Sequence, residues 1–209
     1  MIKCNVTIRG KVSRAASVRT DKVGKQTATF AIRVMLQGKP EGTEAEIFVN
    51  SNDLNLANGV IEVGKVVEMQ GELTFKKQGY NIWLNFAAAN VNPAPVETAD
   101  LIEGMVEAKC TVGKAIEEKV SKSGNKYLTF SAFSAEKVGD GFEYIWIRFV
   151  RFAAGREAFL QPKAKVLAKG KLDISVYQGR INLSCRLDEL TERQGMPFYQ
   201  DKLNGELPF

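Results

Sequence analysis

The segment Gly24-Lys25-Gln26-Thr27-Ala28-Thr29-Phe30-Ala31 returns one hundred residues later as Gly124-Asn125-Lys126-Tyr127-Leu128-Thr129-Phe130-Ser131. The correspondence continues at a nearly constant offset: Val67, Gly71 and Leu73 answer to Val166, Gly170 and Leu172, and Ile82 and Leu84 answer to Ile181 and Leu183. Self-similarity at this period means one structural unit written twice. It constrains the fold more than any other feature, because each copy must build its own core. The 209 residues leave room for two domains of about 100 residues each. The expected division is 1–95, 96–190 and a tail at 191–209.

Within each unit apolar residues alternate with polar ones, and turn residues separate the runs, which is the pattern of short antiparallel strands. The first unit predicts strands at 3–12, 27–36, 44–50, 66–76 and 81–90, and the second at 106–112, 127–134, 143–150, 166–177 and 180–187. Ala153-Ala154-Gly155-Arg156-Glu157-Ala158-Phe159-Leu160 predicts a short helix ending before Pro162. The matching stretch of the first unit, 52–64, is rich in Asn and Gly, and its helix is expected to be vestigial. Asn92-Pro93-Ala94-Pro95 predicts a stiff linker. The expected fold class is all-β: two tandem five-stranded barrels of the oligonucleotide/oligosaccharide-binding (OB) type, with a short helix between strands three and four at least in the second, and a short C-terminal tail.

Residues 1–95 carry twelve Lys/Arg against eight Asp/Glu and residues 96–190 carry fifteen against thirteen. The remaining segment reverses the balance, with Arg193 and Lys202 against Glu192, Asp201 and Glu206. Basic units followed by an acidic end fit a polyanionic partner and a separate contact surface. No apolar run reaches the length of a membrane span and the N-terminus lacks a signal-peptide core, so a cytoplasmic chain without membrane contact is expected. Cys4, Cys110 and Cys185 are odd in number, far apart and in step with apolar neighbours, as buried reduced thiols would be. The chain has no histidine, no Gly-rich phosphate loop and no paired cysteine cluster, and Asp21, Asp53, Asp140 and Asp173 form no recognisable motif. Neither catalysis nor a metal or cofactor is expected.

Binding a single nucleic-acid strand without reading its sequence requires cations along the backbone path and flat side chains beneath the bases. In the third strand of the second unit, Ile145, Ile147 and Phe149 share one face while Tyr144, Trp146 and Arg148 share the other, an arrangement suited to stacking followed by a phosphate contact. Leu128 and Phe130 take the core phase of the second strand and leave Tyr127 and Phe133 opposite, and Phe152 follows the third strand. The first unit offers Phe48, Arg33 and Trp83, with Phe48 set against Trp146 and Trp83 against Asn182. Lys22, Lys25, Lys122 and Lys126 fall in the loop between strands one and two of their units, and Lys76 and Lys77 precede the turn at Gly79. The other reading of the aromatics is a barrel-end cover or a subunit interface, and of any single lysine a solvated charge. Phe30 and Phe130 are assigned to packing. The second unit, with the fuller third strand, is expected to bind more tightly.

Several segments resemble bacterial and phage single-stranded DNA-binding proteins: Ile8-Arg9-Gly10-Lys11, the Gly-Lys turn before Thr29-Phe30-Ala31-Ile32, Val67-Glu68-Met69-Gln70-Gly71-Glu72-Leu73, and Trp146-Ile147-Arg148-Phe149 running on through Phe152. The resemblance covers both units. Gly205-Glu206-Leu207-Pro208-Phe209 is similar to the acidic tip through which that family recruits partner enzymes. The chain departs from the usual pattern in having two units, almost no linker before the tip, and Lys202 interrupting the acidic run. The resemblance implies sequence-tolerant binding of single-stranded DNA during replication, recombination or repair. It further implies recruitment of replication and repair proteins through Glu206, Leu207, Pro208 and Phe209, and either a monomer or a homodimer presenting four barrels, the dimer being slightly favoured. An RNA-binding OB-fold protein and a protein-interaction scaffold are the alternatives.

Overall fold

The structure is a computed structural model that describes residues 1–138, 141–152 and 155–193. Alternation of inward and outward side chains generates the strands β1 (Ile2–Thr20), β2 (Gln26–Met35), β3 (Gln37–Lys39), β4 (Glu44–Ser51), β5 (Val66–Gln78), β6 (Asn81–Ala94), β7 (Leu101–Val120), β8 (Lys126–Val138), β9 (Gly141–Arg151), β10 (Lys165–Tyr177) and β11 (Arg180–Glu192). In β1, for example, Ile2, Cys4, Val6, Ile8 and Val12 are buried while Lys3 and Asn5 between them face solvent.

The pairings close on themselves twice. β1 pairs with β2, β2 with β4, β4 with β6, β6 with β5, and β5 returns to β1. The strands β7, β8, β9, β11 and β10 follow the same order and close through β10–β7. In both circuits one pairing is parallel, β4–β6 and β9–β11, and the rest are antiparallel. Phe30 and Phe130 lie inside, and Phe130 stacks on Phe149 with ring centroids 5.0 Å apart. Gly71 and Gly170 occupy the same place, next to a register shift in β5 and in β10.

The circuits share a wall. Residues 3–9 of β1 pair with β5 on one side and with β7 on the other, and the β1–β7 ladder runs from Ile2 opposite Ala108 to Arg9 opposite Leu101. Gly104 stands opposite Val6, where a Cβ would lie 2.1 Å from the Asn5 carbonyl oxygen, so the two backbones approach this closely only because the residue is glycine. β3 joins β10 in parallel, and the Lys77 Nζ to Glu143 Oε2 ion pair spans 3.7 Å between the halves. The Met35 N–H donates to Asp100 Oδ2 at 2.6 Å, and Arg9 Nη1 donates to the Ala99 carbonyl at 3.2 Å.

Three expectations are corrected. The stretch predicted as a linker is largely strand: Asn92, Pro93 and Ala94 finish β6 opposite Glu68, Val67 and Val66, and the connection between halves is the turn at 95–100. Proline lacks only a donor, which the end of a strand tolerates. Secondly, the expected loops between strands one and two are hairpin arms, since β1 and β7 continue to Thr20 and Val120 and pair with β2 and β8. Register shifts between Val12 and Ser17 and between Val112 and Ile116 break the alternation there, which hid these arms in the sequence. Thirdly, the helix predicted at 153–160 is absent from 155–160, residues 153 and 154 lying outside the described residues. Leu160 N–H bonds to the Glu157 carbonyl at 3.0 Å, a turn rather than a helical bond, Arg156 Nε donates to the Leu160 carbonyl at 2.7 Å, and Arg151 pairs with Glu157. The fully buried Leu160 anchors this turn in the core. The first half holds one 3₁₀ turn, Leu54–Ala57, whose start is capped by Asp53 accepting from Asn55 N–H at 3.0 Å.

Cys4, Cys110 and Cys185 are free and buried, and burial pushes each thiol up to about 12, so all three stay protonated and inert at neutral pH. Among the described residues no helix is long and apolar enough to cross a membrane.

Because β1 and β7 each carry ladders on both edges, the two halves are expected to melt in a single calorimetric transition. Gly104→Val, which forces the β1 and β7 backbones apart, is expected to lose about 3 kcal/mol and to lower the melting temperature by roughly 6–12 °C. Two resolved transitions in the unmodified chain would contradict the shared wall.

Candidate nucleic-acid interface

The outward row of β9 is Phe142, Tyr144, Trp146 and Arg148, alternating with the buried Ile145, Ile147 and Phe149. At about 3.3 Å per residue the row is roughly 20 Å long. Trp146 is 50% exposed and Tyr144 44%, so neither ring serves the core. Phe133 of β8 lies directly across from Trp146 and supports both rings, with centroids 5.0 Å from Trp146 and 5.3 Å from Tyr144, the latter edge-on. Gly113 of β7 makes room behind the indole: a Cβ there would lie 3.1 Å from Trp146 Cζ3. Arg148 Nε donates to Thr129 Oγ1 at 3.2 Å, which fixes the guanidinium beside the rings, and it pairs with no carboxylate among the described residues. Tyr127 and Phe152 form a second aromatic contact at 5.6 Å, with the Arg186 guanidinium 5.3 Å from the Phe152 ring. Rings held from behind, open in front and followed by an unpaired cation can stack planar groups and neutralise an anion beside them.

The first half does not repeat this face. The β2–β4 ladder sets Ala31 opposite Phe48 and Arg33 opposite Glu46, whereas β8–β9 sets Ser131 opposite Arg148 and Phe133 opposite Trp146. The counterpart of Trp146 is therefore Glu46, and Phe48 corresponds to Arg148, so the sequence comparison of Phe48 with Trp146 is two residues out. A shift of two leaves a strand's alternation unchanged, so alternation could not reveal it. Where Gly113 admits the indole, Ser13 Oγ instead donates to Glu46 Oε1 at 3.1 Å, and Arg33 pairs with Glu44 at 3.7 Å. The aromatic contact of this half is Phe48 with Trp83, 5.5 Å between centroids, with the Arg14 guanidinium 5.9 Å from the Phe48 ring. Lys76 stands opposite Trp83 in the β5–β6 ladder.

Lys22 and Lys25 lie on the exposed tip of the β1–β2 arm, and Lys122 and Lys126 on the tip of the β7–β8 arm. The tips are built alike: the Asp21 carboxylate accepts from Lys25 N–H at 2.9 Å, and Ser121 Oγ accepts from Asn125 N–H at 3.0 Å. Lys77 turns away from Lys76 toward the second half and its ion pair with Glu143. Tyr144, Trp146 and Arg148 form one wall of a groove of about 600 Å³ whose other wall includes Lys77, Tyr80 and Ile82 of the first half. The proposed tip residues Glu206, Leu207, Pro208 and Phe209 lie outside the described residues. Among those described, no group of three or more His, Cys, Asp or Glu could hold a metal ion.

Sequence reasoning missed Phe142, which continuing the alternation back from Tyr144 would have found. It also missed Arg14, Arg186, Tyr80 and Arg180, which reach these faces through long-range strand pairing that leaves no local signal.

No family model matches the chain, and no curated protein matches it. Solved structures similar to it include the wild-type single-stranded DNA binding protein from Thermus aquaticus, 12% identical, covering 93% of this chain and 94% of that chain with a TM-score of 0.49. A deletion mutant of the Thermus aquaticus protein gives 12% identity, 94% and 98% coverage and the same TM-score of 0.49. A Replication Protein A heterotrimer bound to ssDNA is similar at 11% identity over 93% of this chain and 50% of that chain, with a TM-score of 0.31.

The placement of Phe130 inside and Phe133 outside makes a direct stability test. Phe130→Ala is expected to lose about 3–5 kcal/mol in denaturant unfolding. Phe133→Ala, which loses only partly buried ring contacts, should lose about 1–2 kcal/mol. Equal losses would place both rings in the core.

Proposed function

We propose that this protein binds single-stranded DNA without strong sequence preference, using each five-stranded circuit as an OB-fold barrel, and that it protects strands exposed in replication, recombination or repair. The observation that carries the reading is the supported aromatic row of β9, with Tyr144 and Trp146 open to solvent and the cation of Arg148 next in line. Bases stack on the rings irrespective of identity, and the guanidinium meets a phosphate. Tyr127, Phe133, Phe152 and Arg186 extend this contact, and Lys122 and Lys126 on the arm close over the strand. Phe48, Trp83, Lys76, Lys22, Lys25 and Arg33 form the weaker surface of the first barrel, where Glu44 and Glu46 repel phosphate and Glu44 occupies Arg33. The protein acts by binding and carries out no chemical step.

Trp146→Ala is expected to weaken binding to an oligothymidylate by about 1–3 kcal/mol, and Trp83→Ala by less, as read by fluorescence anisotropy on protein that keeps its melting temperature. Affinity should fall with salt with a log–log slope of roughly 0.7 per phosphate contact. An oligonucleotide affinity indifferent to salt and to Trp146 would make the protein an interaction scaffold, and a clear preference for RNA in competition with DNA of the same sequence would make RNA the ligand.

The same reading gives the tail a role of its own. Glu206, Leu207, Pro208 and Phe209 recruit replication and repair proteins through a short acidic and apolar peptide. Deleting residues 207–209 is expected to leave DNA affinity within about twofold while abolishing capture of such partners. A tail required for folding would argue for docking onto its own barrel instead.

A further inference from the structure

The two barrels meet at their last hairpins. The β5–β6 turn carries Tyr80, 85% exposed, and β11 opens with Arg180, whose guanidinium lies 5.4 Å from the Tyr80 ring centroid. A tyrosine this exposed contributes little to packing, yet it is held at a defined place by a cation from the other half. The position is framed by β3 pairing with β10 and by the Lys77–Glu143 ion pair.

This junction also separates two grooves that share a wall. The groove of about 600 Å³ holds Trp146 and Arg148, and a second groove of about 250 Å³ holds Trp83 together with Val176 and Arg180. Tyr80, Ile82 and Ile181 line both. The aromatic surfaces of the two halves thus flank adjacent grooves on either side of the hairpin junction, with Tyr80 on the wall between them.

We propose that Tyr80 and Arg180 form a crossing point at which one nucleic-acid strand passes from the Trp146 face to the Trp83 face, Tyr80 stacking a base and Arg180 meeting a phosphate. This rests on the single-strand-binding reading above. It assigns to the pair a role neither barrel has alone: a strand that fills the first groove and continues over the junction reaches the second as an intramolecular event. Its affinity then exceeds that of either face by the effective concentration of the tethered segment. The weak, partly acidic face of the first half then contributes chiefly to strands long enough to arrive from the second.

The test measures dissociation constants of the full chain for oligothymidylates graded from about five to about thirty nucleotides, a range bracketing the site size of one OB fold. The proteins compared are the unmodified chain, Tyr80→Ala, Arg180→Ala and Trp146→Ala, all checked for unchanged melting temperature. The unmodified chain is expected to bind one long strand per chain, with affinity rising steeply once the oligonucleotide outgrows a single face. Tyr80→Ala and Arg180→Ala should each lower the ratio of long-strand to short-strand affinity by about tenfold. The same fold loss at every length, an unchanged ratio, or two long strands binding independently per chain would overturn the crossing. These failures differ from failure of the underlying reading, in which no length binds or Trp146→Ala changes nothing at any length; that result would overturn both.

Discussion

Everything distinctive about this molecule depends on β1 and β7 being hydrogen-bonded along both edges. A strand at a sheet margin satisfies half its backbone groups and leaves the rest to water or to another chain. Here residues 3–9 of β1 satisfy one side within their own circuit and the other against β7, with Gly104 permitting the approach. Two circuits that could have been independent are therefore built on a common wall. This fixes where the aromatic face of β9 lies relative to the hairpin bearing Tyr80.

The halves share a framework and differ on one face. Inward positions are exchanged among apolar residues of similar role, as with Ala45 and Ile145 or Val49 and Phe149, because each must fill a packed core. Outward positions carry no such restraint. There, the Gly113 and Trp146 of one half stand where the other has Ser13 and Glu46, and each pair is internally consistent: a missing Cβ admits an indole, and a hydroxyl donates to a carboxylate. Coordinated exchange of two touching residues turns the same scaffold from an aromatic surface into a partly acidic one.

Much of this was legible in the sequence. The offset of one hundred and the alternation located ten of the strands, since burial on one face imposes a period of two that survives in the residues. The outward set Tyr144, Trp146 and Arg148 followed from the same rule. What failed did so for identifiable reasons. The hairpin arms were invisible because bulges reset the alternation, and β3 because three residues show no period. The 153–160 segment has helix-forming alanines, but Arg156 and Glu157 are committed to turn and ion-pair contacts and Leu160 to the core, so tertiary demands prevail over propensity in 155–160. Arg186 on Phe152 and Arg180 on Tyr80 arise from pairings distant in sequence, which local patterns cannot encode.

The shared wall has a mechanical meaning as well. In the β1–β7 ladder, sliding one half along the strands loads many hydrogen bonds together, while peeling the halves apart opens them one after another. A tensioned polymer pulling along the ladder axis would meet the stiff direction, and one pulling across it the compliant one. The angle at which the two halves are pulled therefore decides how much force the β1–β7 ladder withstands before they separate.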